Sequence, residues 1–518
     1  MIDKKMEKTK FRINITLLAL MLIPIMYLIS AICAVDYGMA IIGFVKFLPI
    51  IPISIYVATM QVEERLQIIK SIPKFASVMT LASFGLSLIP SISSYINVNS
   101  NLAGFFQYPN TYALFLVVSL MIIIDDFGEI KNKIILNLAQ SLLLLIALVL
   151  TQSRTALVLL IVLLFISLFS KKTRKNALLI LVIGIVIAVV MLAVLFLTSD
   201  FSAISKYFSI TIYESTFIGR ILYAVDVLPQ ILTNPLGLGY YGYSYTQGEF
   251  QTGLYSIVYV HNDFLQMFID AGWVAGVALI FVVVKSLLAK TLPSLNKMMI
   301  LTISLFTLFD FHLQYISIFF ILILCLDYQS LMNFEFKKMK IVKPIIAGLV
   351  VISFYFGFAL VTEYFGANDI SINVYPLNTR IKIEYLFECE DVSELGELAD
   401  DIIKQNEYCV YAYEAKANFA YSQYDFNTII ESKLKEIELS KFDLEKYTEL
   451  IDFLAVGVIL YEDSGDSYSS EYCKKIIQEV PTMITEAESQ LSKLGLMIDD
   501  QPYLTLSDEY VEYINSLS

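Results

Sequence analysis

Three side chains in this sequence are suited to acid–base and phosphate chemistry. His261 lies where a polar stretch enters an apolar run, in His261-Asn262-Asp263, and it is one of only two histidines. An imidazole has an ordinary pKa of about 6.5, which makes it a natural general base. Arg154 and Arg220 carry planar guanidinium groups that can hold a phosphate through paired hydrogen bonds. Together the three could bind an anionic leaving group and take a proton from an attacking hydroxyl.

Each of these residues also has a structural interpretation. A lone histidine at a membrane boundary more often makes an interfacial hydrogen bond than it acts as a base. Either arginine could extend to lipid phosphates or pair with a nearby acid. We predict a structural role for His312, which follows Asp310-Phe311.

The composition indicates an integral membrane protein. Of the 518 residues, 57% are hydrophobic and 16% are charged, and the mean hydropathy is +0.69. Soluble domains are about 45–50% apolar. The charge is uneven, because 31 of the 49 acidic residues but only 11 of the 36 basic ones lie from Gly366 onward. We therefore expect a basic membrane domain over residues 1–365 and an acidic soluble domain over 366–518.

Apolar runs predict eleven membrane spans and hence an all-α, polytopic fold. A helix needs about 20 residues to cross ~30 Å of hydrocarbon. The runs lie near residues 13–34, 38–59, 74–94, 108–125, 133–151, 155–170, 177–198, 264–288, 296–311, 315–333 and 343–362. The first has no small-residue cleavage site at its end, so we expect an uncleaved span and a cytoplasmic N-terminus.

Basic residues then orient the spans, because loops rich in lysine and arginine stay on the cytoplasmic side. With the N-terminus inside, all the basic clusters fall inside. They are Arg65, Lys70 and Lys74; Lys131 and Lys133; Lys171, Lys172, Arg174 and Lys175; Lys285, Lys290 and Lys297; and Lys337, Lys338, Lys340 and Lys343. The loops left outside, above all the large loop 199–260, are nearly free of basic residues. Residues 366–518 fall outside too, on the same face as Arg154, Arg220 and His261.

An ordered set of short motifs runs through residues 100–330. It consists of Gly104-Phe105-Phe106-Gln107-Tyr108-Pro109-Asn110, Ser153-Arg154, Gly219-Arg220, Pro235-Leu236-Gly237-Leu238-Gly239, and His261-Asn262-Asp263-Phe264-Leu265-Gln266 with Gly272 and Gly276. With a large outer loop between two late spans, this order resembles the O-antigen ligase and polymerase superfamily of bacterial envelope glycosyltransferases. The resemblance implies a multi-pass protein of the bacterial cytoplasmic membrane. It also implies glycosyl transfer at the outer face, from an undecaprenyl diphosphate-linked saccharide to an acceptor glycan or lipid.

The candidate residues fit that chemistry. As the glycosidic bond breaks, charge grows on the diphosphate, and the guanidinium groups of Arg154 and Arg220 would stabilise it. His261 would accept the proton of the attacking hydroxyl. We predict that Asn262 or Asp263 orients the imidazole or the sugar, and Asn110 is a further substrate-orienting candidate. No carboxylate-rich outer motif suggests a divalent ion, so we expect neither metal nor cofactor, and attack opposite the leaving group would invert the anomeric centre.

Tyrosines cluster beside these motifs, at positions 240, 241, 243 and 245. Tyrosines at a membrane surface are usually interfacial belt residues. Stacking of Tyr240 and Tyr241 on sugar rings is the functional alternative.

The acidic segment shows helical periodicity. The predicted helices are Val392–Gln405, Val410–Tyr421, Asp425–Leu439, Asp443–Tyr461 and Ser470–Leu494. The run Tyr411-Ala412-Tyr413-Glu414-Ala415-Lys416-Ala417-Asn418-Phe419-Ala420 looks like one tetratricopeptide-type helical hairpin, although its period is degraded. Such domains usually bind proteins, so a protein partner is conceivable here, whereas no nucleic acid is expected.

Two other function classes stay open. A polysaccharide or lipid transporter would also have many spans, but it would be expected to carry ionisable residues near mid-bilayer, and the predicted spans are almost free of them. A membrane scaffold acting through the helical tail would not need Arg154, Arg220 and His261 on one face. Ligase and polymerase are not separable, because they use the same donor and differ only in the acceptor.

Overall fold

The chain folds almost entirely into helices, and the predicted all-α, polytopic fold class is confirmed. The computed structural model describes residues 11–127, 131–198, 215–329, 334–336 and 339–517. Predictions made for residues 1–10, for 199–214 with Lys206, and for Lys337 and Lys338 lie outside the described residues.

The helices up to the end of the membrane portion follow the apolar runs. They are α1 (Ile15–Ser30), α2 (Tyr37–Phe47), α3 (Ile50–Thr59), α4 (Val62–Ser87), α5 (Pro90–Ile96), α6 (Pro109–Asp125), α7 (Lys131–Leu150), α8 (Arg154–Leu168), α9 (Arg174–Thr198), α10 (Ser215–Thr233), α11 (Gly242–Phe250), α12 (Asp263–Leu288), α13 (Ser294–Thr307), α14 (Ile316–Cys325) and α15 (Met339–Tyr364). Short antiparallel pairs join β1 (Phe11–Ile13) to β4 (Phe334–Phe336) and β2 (Asn97–Val98) to β3 (Asn101–Leu102).

Within the described residues, five stretches are long and apolar enough to cross a membrane. They are Tyr37–Thr59, Lys133–Leu150, Thr216–Thr233, Asp263–Leu288 and Ala347–Tyr364. Four shorter apolar helices accompany them, Ile15–Ser30, Pro109–Asp125, Arg154–Leu168 and Ile316–Cys325. Each of the eleven predicted spans overlaps at least one helix, and the spans 38–59 and 74–94 each overlap two.

Two boundaries differ from prediction. Helix α4 begins at Val62 instead of near residue 74, because Glu64 folds back to accept a hydrogen bond from the Gln61 amide and fixes the helix start. The predicted polar loop 199–260 is also wrong in part, since its described portion contains α10 and α11. Leu222 and Val227 of α10 are fully buried. The amphipathic pattern of this helix was missed in the sequence because polar residues lie around it.

The spans carry more ionisable residues than the sequence analysis allowed. Lys46 lies in α2, Arg65 in α4 and Asp270 in α12. Arg65 donates to the carbonyl of Leu326 at 2.6 Å, and Asp270 accepts from Tyr27 Oη at 3.1 Å. These groups are hydrogen-bonded, as burial requires.

The long helix α12 is broken at Gly272, and residues 235–239 pack against the break. Gly272 has φ +80°, and a Cβ there would lie 2.4 Å from the carbonyl oxygen of Pro235. Only glycine tolerates both the backbone angle and the close approach. Trp273 donates its amide to Pro235 at 2.9 Å, and Leu238 donates to Ile269 at 2.7 Å. Residues 235–239 are thereby fixed against the first half of α12.

The C-terminal part is mostly helical, and between residues 490 and 507 it has only a 3₁₀ turn at Gly495–Met497. It contains α16 (Asn368–Val374), α17 (Thr379–Glu388), α18 (Val392–Gln405), α19 (Val410–Ser422), α20 (Phe426–Leu439), α21 (Leu444–Ser464), α22 (Ser467–Ser489) and α23 (Asp508–Ser516). Helices α18 to α22 pack in sequence, each against the next. The five predicted helices agree with these to within a few residues. The tetratricopeptide-type assignment stays a prediction.

Asp36 ties the C-terminal helices to the membrane helices. Its side chain is fully buried and caps α2 by accepting from the Met39 amide at 2.9 Å. It also accepts from Gln405 Nε2 at 3.1 Å and Asn406 Nδ2 at 3.3 Å, both on the C-terminal side. The C-terminal helices therefore pack on the end of the bundle where α2 begins.

Ion pairs of the predicted basic clusters lie at the other ends of the spans. Lys70 and Lys133 both pair with Asp126, at the C-terminal end of α6. Lys285, at the C-terminal end of α12, pairs with Asp327 at 2.7 Å. The basic end and the end that carries the C-terminal helices are thus opposite.

Candidate active site

The carboxylate of Asp310 is the centre of a polar cluster. Its Oδ2 accepts from Tyr108 Oη at 2.8 Å and from Asn110 Nδ2 at 2.7 Å. Its Oδ1 lies 3.0 Å from Nδ1 of His261, and its Oδ2 lies 3.6 Å from a terminal nitrogen of Arg220. The structure thus brings two predicted residues, Arg220 and His261, to one carboxylate that the sequence analysis did not single out.

Four separate parts of the chain deliver these side chains. Tyr108 and Asn110 flank Pro109 at the first turn of α6, where proline is favoured. Arg220 comes from α10, and His261 immediately precedes the N-cap of α12. Asp310 lies in the connection between α13 and α14. His261 has φ +56°, a left-handed backbone conformation that is uncommon outside glycine.

The connection that holds Asp310 lies inside the bundle. Helix α14 has 10 residues, so at about 1.5 Å per residue it spans roughly 15 Å, half of a bilayer core of ~30 Å. Gln314 in this connection accepts from Lys46 Nζ at 2.8 Å, near the far end of α2. The cluster is therefore recessed between helices, where few waters compete with its hydrogen bonds.

The hydrogen bond to Asp310 fixes the His261 ring. An ionised carboxylate is an acceptor only, so Nδ1 of His261 donates to it. The Nε2 atom is then left to face a substrate as the proton acceptor. The ring lies against Phe311, at 5.1 Å between centroids, and 6.0 Å from the ring of Tyr223. A carboxylate behind a histidine in this way orients the imidazole and stabilises its charged form.

Charge in the cluster is set by its neighbours. Asp310 lies in the connection between α13 and α14 and outside both helices. Burial raises the pKa of a carboxyl, but the hydrogen bond from His261 and the charge of Arg220 hold the pKa of Asp310 well below its usual value. Burial lowers the pKa of His312 to about 4, and its Nδ1 lies 2.9 Å from Thr111 Oγ1. Asp310 is thus ionised and His312 is neutral, which fits the structural role predicted for His312.

Arg220 keeps donors for a ligand. Its side chain is 18% exposed, and within the described residues its buried Nε has no hydrogen-bond partner. Buried donors are nearly always paired in folded proteins. A phosphate oxygen beside Arg220 would satisfy this one.

Arg154 is placed at the same end of the bundle but is not among the side chains on Asp310. It is the first residue of α8 and is partly buried. Helix α8 packs against α6, and the chain reverses between α7 and α8. The N-terminus of α8 therefore lies at the end where α6 begins with Tyr108 and Asn110. Whether Arg154 shares the anion site stays a prediction.

Asn262 and Asp263 have structural contacts that the sequence analysis did not foresee. Asn262 Oδ1 accepts from the amides of Phe264 and Leu265, so it caps α12. Asp263 is 1% exposed and accepts from the Leu313 amide at 2.7 Å. Asp310 makes the hydrogen bond that orients the His261 ring, so of the two roles predicted for Asn262 or Asp263 only orientation of the sugar stays a prediction. Asn110 acts on the same carboxylate.

Tyr240 and Tyr241 occupy different environments. Tyr240 is 5% exposed, and its hydroxyl lies 2.7 Å from that of Tyr259 and accepts from Lys46 Nζ at 2.9 Å. A ring buried this way has no free face for a sugar, so stacking by Tyr240 is a wrong prediction. Tyr241 is partly buried, and its hydroxyl accepts from Arg380 of α17 at 3.3 Å.

Asp310, Tyr108 and Lys46 are the residues that the sequence analysis missed. Asp310 and Lys46 lie inside or beside predicted spans, where an ionisable side chain is rare and marks a functional site by default. That rule could have found them.

Comparison with known proteins agrees with the motif order. Residues 139–280 match the family model described as O-Antigen ligase. The matched range contains Arg154, Arg220 and His261, and it ends before Asp310. No curated protein and no solved structure matches the chain. A domain of this family implies ligase- or polymerase-type glycosyl transfer with lipid-linked saccharide and glycan substrates. With its multi-pass helical architecture and its ordered motifs, the chain is a membrane protein that is similar over residues 139–280 to the O-antigen ligase family.

Proposed function

We propose that the chain transfers a saccharide from an undecaprenyl diphosphate-linked donor to a hydroxyl of an acceptor glycan or lipid, at the outer face of the bacterial cytoplasmic membrane. The observation that carries the proposal is the shared carboxylate of Asp310. It holds a candidate base, His261, next to a candidate anion-binding group, Arg220. Transfer from a lipid diphosphate needs both groups close to one anomeric carbon.

In the proposed reaction the acceptor oxygen attacks the anomeric carbon as the bond from that carbon to the diphosphate oxygen breaks. The hydroxyl proton passes to Nε2 of His261, and the imidazolium formed is stabilised by Asp310. The bond electrons leave with the diphosphate, whose growing charge is held by Arg220, and we assign Arg154 the same role. Direct displacement inverts the anomeric centre. The guanidinium groups supply the positive charge that a divalent ion would otherwise bring.

Most of the remaining candidate residues act indirectly, by holding other parts of the site in place. Asn110 and Tyr108 hold Asp310, and Asn262 and Asp263 hold the start of α12 against the connection that carries Asp310. Tyr241 is the ring left for contact with a sugar.

A transporter is the second candidate, because Lys46 and Asp270 are ionisable and lie inside the bundle. Both lie in the tyrosine-rich region next to the Asp310 cluster, however, and a transporter has no need of a base held by a carboxylate. Loss of glycan transfer in a variant of His261 separates the two functions.

We expect Arg220→Lys to lower transfer about 10- to 100-fold, since hydrogen bonds to charged groups contribute about 1.5–3 kcal/mol and an ammonium cannot make the paired planar contacts. Arg154→Lys should lose activity for the same reason. The measurement is the initial rate of glycan transfer by the purified variants.

Arg174→Lys is the matched control, because Arg174 begins α9 at the opposite end of the bundle. It should transfer at the wild-type rate. Full activity of Arg220→Lys would contradict the anion-binding role, and full activity of Arg154→Lys alone would remove Arg154 from the site.

We expect the end of the bundle with the C-terminal helices to face outward. Tyr468→Cys, at an 85% exposed position of α22, should react in intact cells with a membrane-impermeant maleimide. Lys171→Cys, at the basic end, should react only after the cells are opened. Both variants are made in a chain without its own cysteines. The reverse pattern would contradict transfer at the outer face.

A further inference from the structure

A cavity lies between residues 244–256 and the C-terminal helices, away from Asp310. Its volume is about 450 Å³, within the range of about 300–1,000 Å³ usual for small-ligand sites. One wall is formed by α11 and residues 251–256, and the other by the start of α19 and the turn between α20 and α21.

Close contacts hold the two walls together. Gly248 approaches Leu439 so closely that a Cβ would lie 1.7 Å from the leucine carbonyl oxygen. Thr252 accepts from the Ser492 amide at 2.9 Å, and Lys441 Nζ donates to the carbonyl of Glu249 at 3.0 Å. The cavity is therefore a fixed feature of the fold and not a gap between loosely docked parts.

The lining has the character of a saccharide site. It presents the rings of Tyr245, Tyr255, Tyr408 and Tyr411 together with amide, hydroxyl and carboxylate groups. Sugar rings offer apolar C–H faces that stack on aromatic rings and rims of hydroxyls that both donate and accept. A pocket of tyrosines with hydrogen-bonding side chains between them matches both surfaces.

One polar atom of the lining points to a missing ligand. Gln251 is only 5% exposed, and its buried Oε1 has no hydrogen-bond partner in the described part of the chain. The amide oxygen is an acceptor, and a sugar hydroxyl could donate to it. A ligand with hydroxyl groups would complete the hydrogen bonding that burial requires.

The charges of the walls favour an uncharged ligand. Lys446 pairs with Glu414 at 3.2 Å and with Glu436 at 2.8 Å, so its charge is balanced within the wall. Unlike the Arg220 site, this cavity has no arginine among its lining residues in the described chain. A diphosphate would find no planar cation here.

Two aromatic rings lie between the cavity and His261. Tyr255 lines the cavity and lies 4.7 Å from Tyr223, which lies 6.0 Å from the His261 ring, all between centroids. Asp226 of α10 fixes this arrangement by accepting from Tyr255 Oη at 2.9 Å and from the Thr252 amide at 2.9 Å. A glycan with its reacting end at His261 would have its following sugars within reach of the cavity.

We propose that this cavity is a subsite for an uncharged stretch of glycan, built jointly by residues 244–256 and the C-terminal helices. The proposal rests on the proposed function, since it assigns the bound glycan to the substrate reacting at His261. The glycan is either the saccharide of the donor or the acceptor chain. In this reading the C-terminal helices hold substrate and complete the site.

The test is binding of lipid-free oligosaccharides of a few sugars, prepared by partial hydrolysis of the host's own envelope polysaccharide, to the full chain in lipid nanodiscs. Saturation-transfer NMR measures their binding to the wild type, to His261→Ala and to Gln251→Leu combined with Tyr411→Ala. Each lost hydrogen bond weakens binding by about 2- to 10-fold, so with the lost stacking we expect the double variant to bind about 10-fold or more weakly. His261→Ala should bind as the wild type does.

Two controls make the result specific. Tyr468→Ala removes an exposed tyrosine outside the cavity and should bind normally. Inorganic diphosphate should bind the cavity variant as it binds the wild type, which also shows that the variant is folded. A raised KM for the donor or for the acceptor in the cavity variant identifies which glycan occupies the subsite. Unchanged oligosaccharide binding in the cavity variant, or no binding by the wild type, would overturn the proposal. Normal transfer by His261→Ala would instead refute the proposed base and leave the subsite standing.

Discussion

The substitution His261→Ala is expected to lower the rate of glycan transfer by about 10²–10⁴-fold, the contribution of a positioned general base. The physical reason is that His261 Nε2 is the proton acceptor left free by the hydrogen bond of Nδ1 to Asp310. Donor binding should persist, because Arg220 remains. The measurement is the initial rate of transfer by purified protein at saturating donor, with donor affinity determined in parallel.

His312→Ala is the matched control, since His312 is the only other histidine and lies two residues from Asp310. Its side chain is 1% exposed, and its Nδ1 lies 2.9 Å from Thr111 Oγ1. It should retain activity. A loss of only a few-fold in His261→Ala would favour an interfacial role for His261 instead of base catalysis.

The second large effect is expected for Asp310→Asn. Asparagine has nearly the same shape but no charge, so it cannot stabilise a protonated His261, and its amide can hold the ring in the wrong tautomer. We expect kcat to fall by about 10²–10⁴-fold, with a smaller change in the KM for the donor. Separate kcat and KM values for the purified variant provide the measurement.

Asp126→Asn serves as the control, because Asp126 is a carboxylate paired with two lysines at the opposite end of the bundle. Its activity should be that of the wild type. A change confined to KM in Asp310→Asn would show that Asp310 serves donor binding through Arg220 and not the orientation of His261.

The helices could be predicted from the sequence because the patterns that indicate them are local. Apolar runs placed every predicted span on a helix, and the 3.6-residue period placed α18 and α20 almost to the residue. Local signals failed where an element is amphipathic and lies among polar residues, as with α10. They also failed at the start of α4, where polar residues precede the apolar run and a capping box decides the boundary.

Only part of the site could be predicted from the sequence, and the reason differs from that for the helices. Histidine and arginine at a polar boundary stand out by type, so His261 and Arg220 could be proposed without a structure. Asp310 is 49 residues from His261 and lies at the end of an apolar run that reads as an ordinary span. Only the packing of α13 and α14, both too short to cross the ~30 Å hydrocarbon core of a bilayer, brings it to the imidazole. Asn262 was misassigned because helix capping and catalysis select the same residue types.

The most direct test of glycosyl transfer is reconstitution of the purified chain in liposomes with purified undecaprenyl diphosphate-linked saccharide, with a chelator present. Mass spectrometry follows two products, free undecaprenyl diphosphate and the elongated or newly capped acceptor. Supplying a growing glycan chain and a terminal lipid acceptor in separate reactions distinguishes polymerase from ligase. We expect both products to form in equal amounts with the wild type and to form about 10²–10⁴-fold more slowly with His261→Ala. Failure of the wild type to release undecaprenyl diphosphate while acceptor is present, or equal release by His261→Ala, would contradict it.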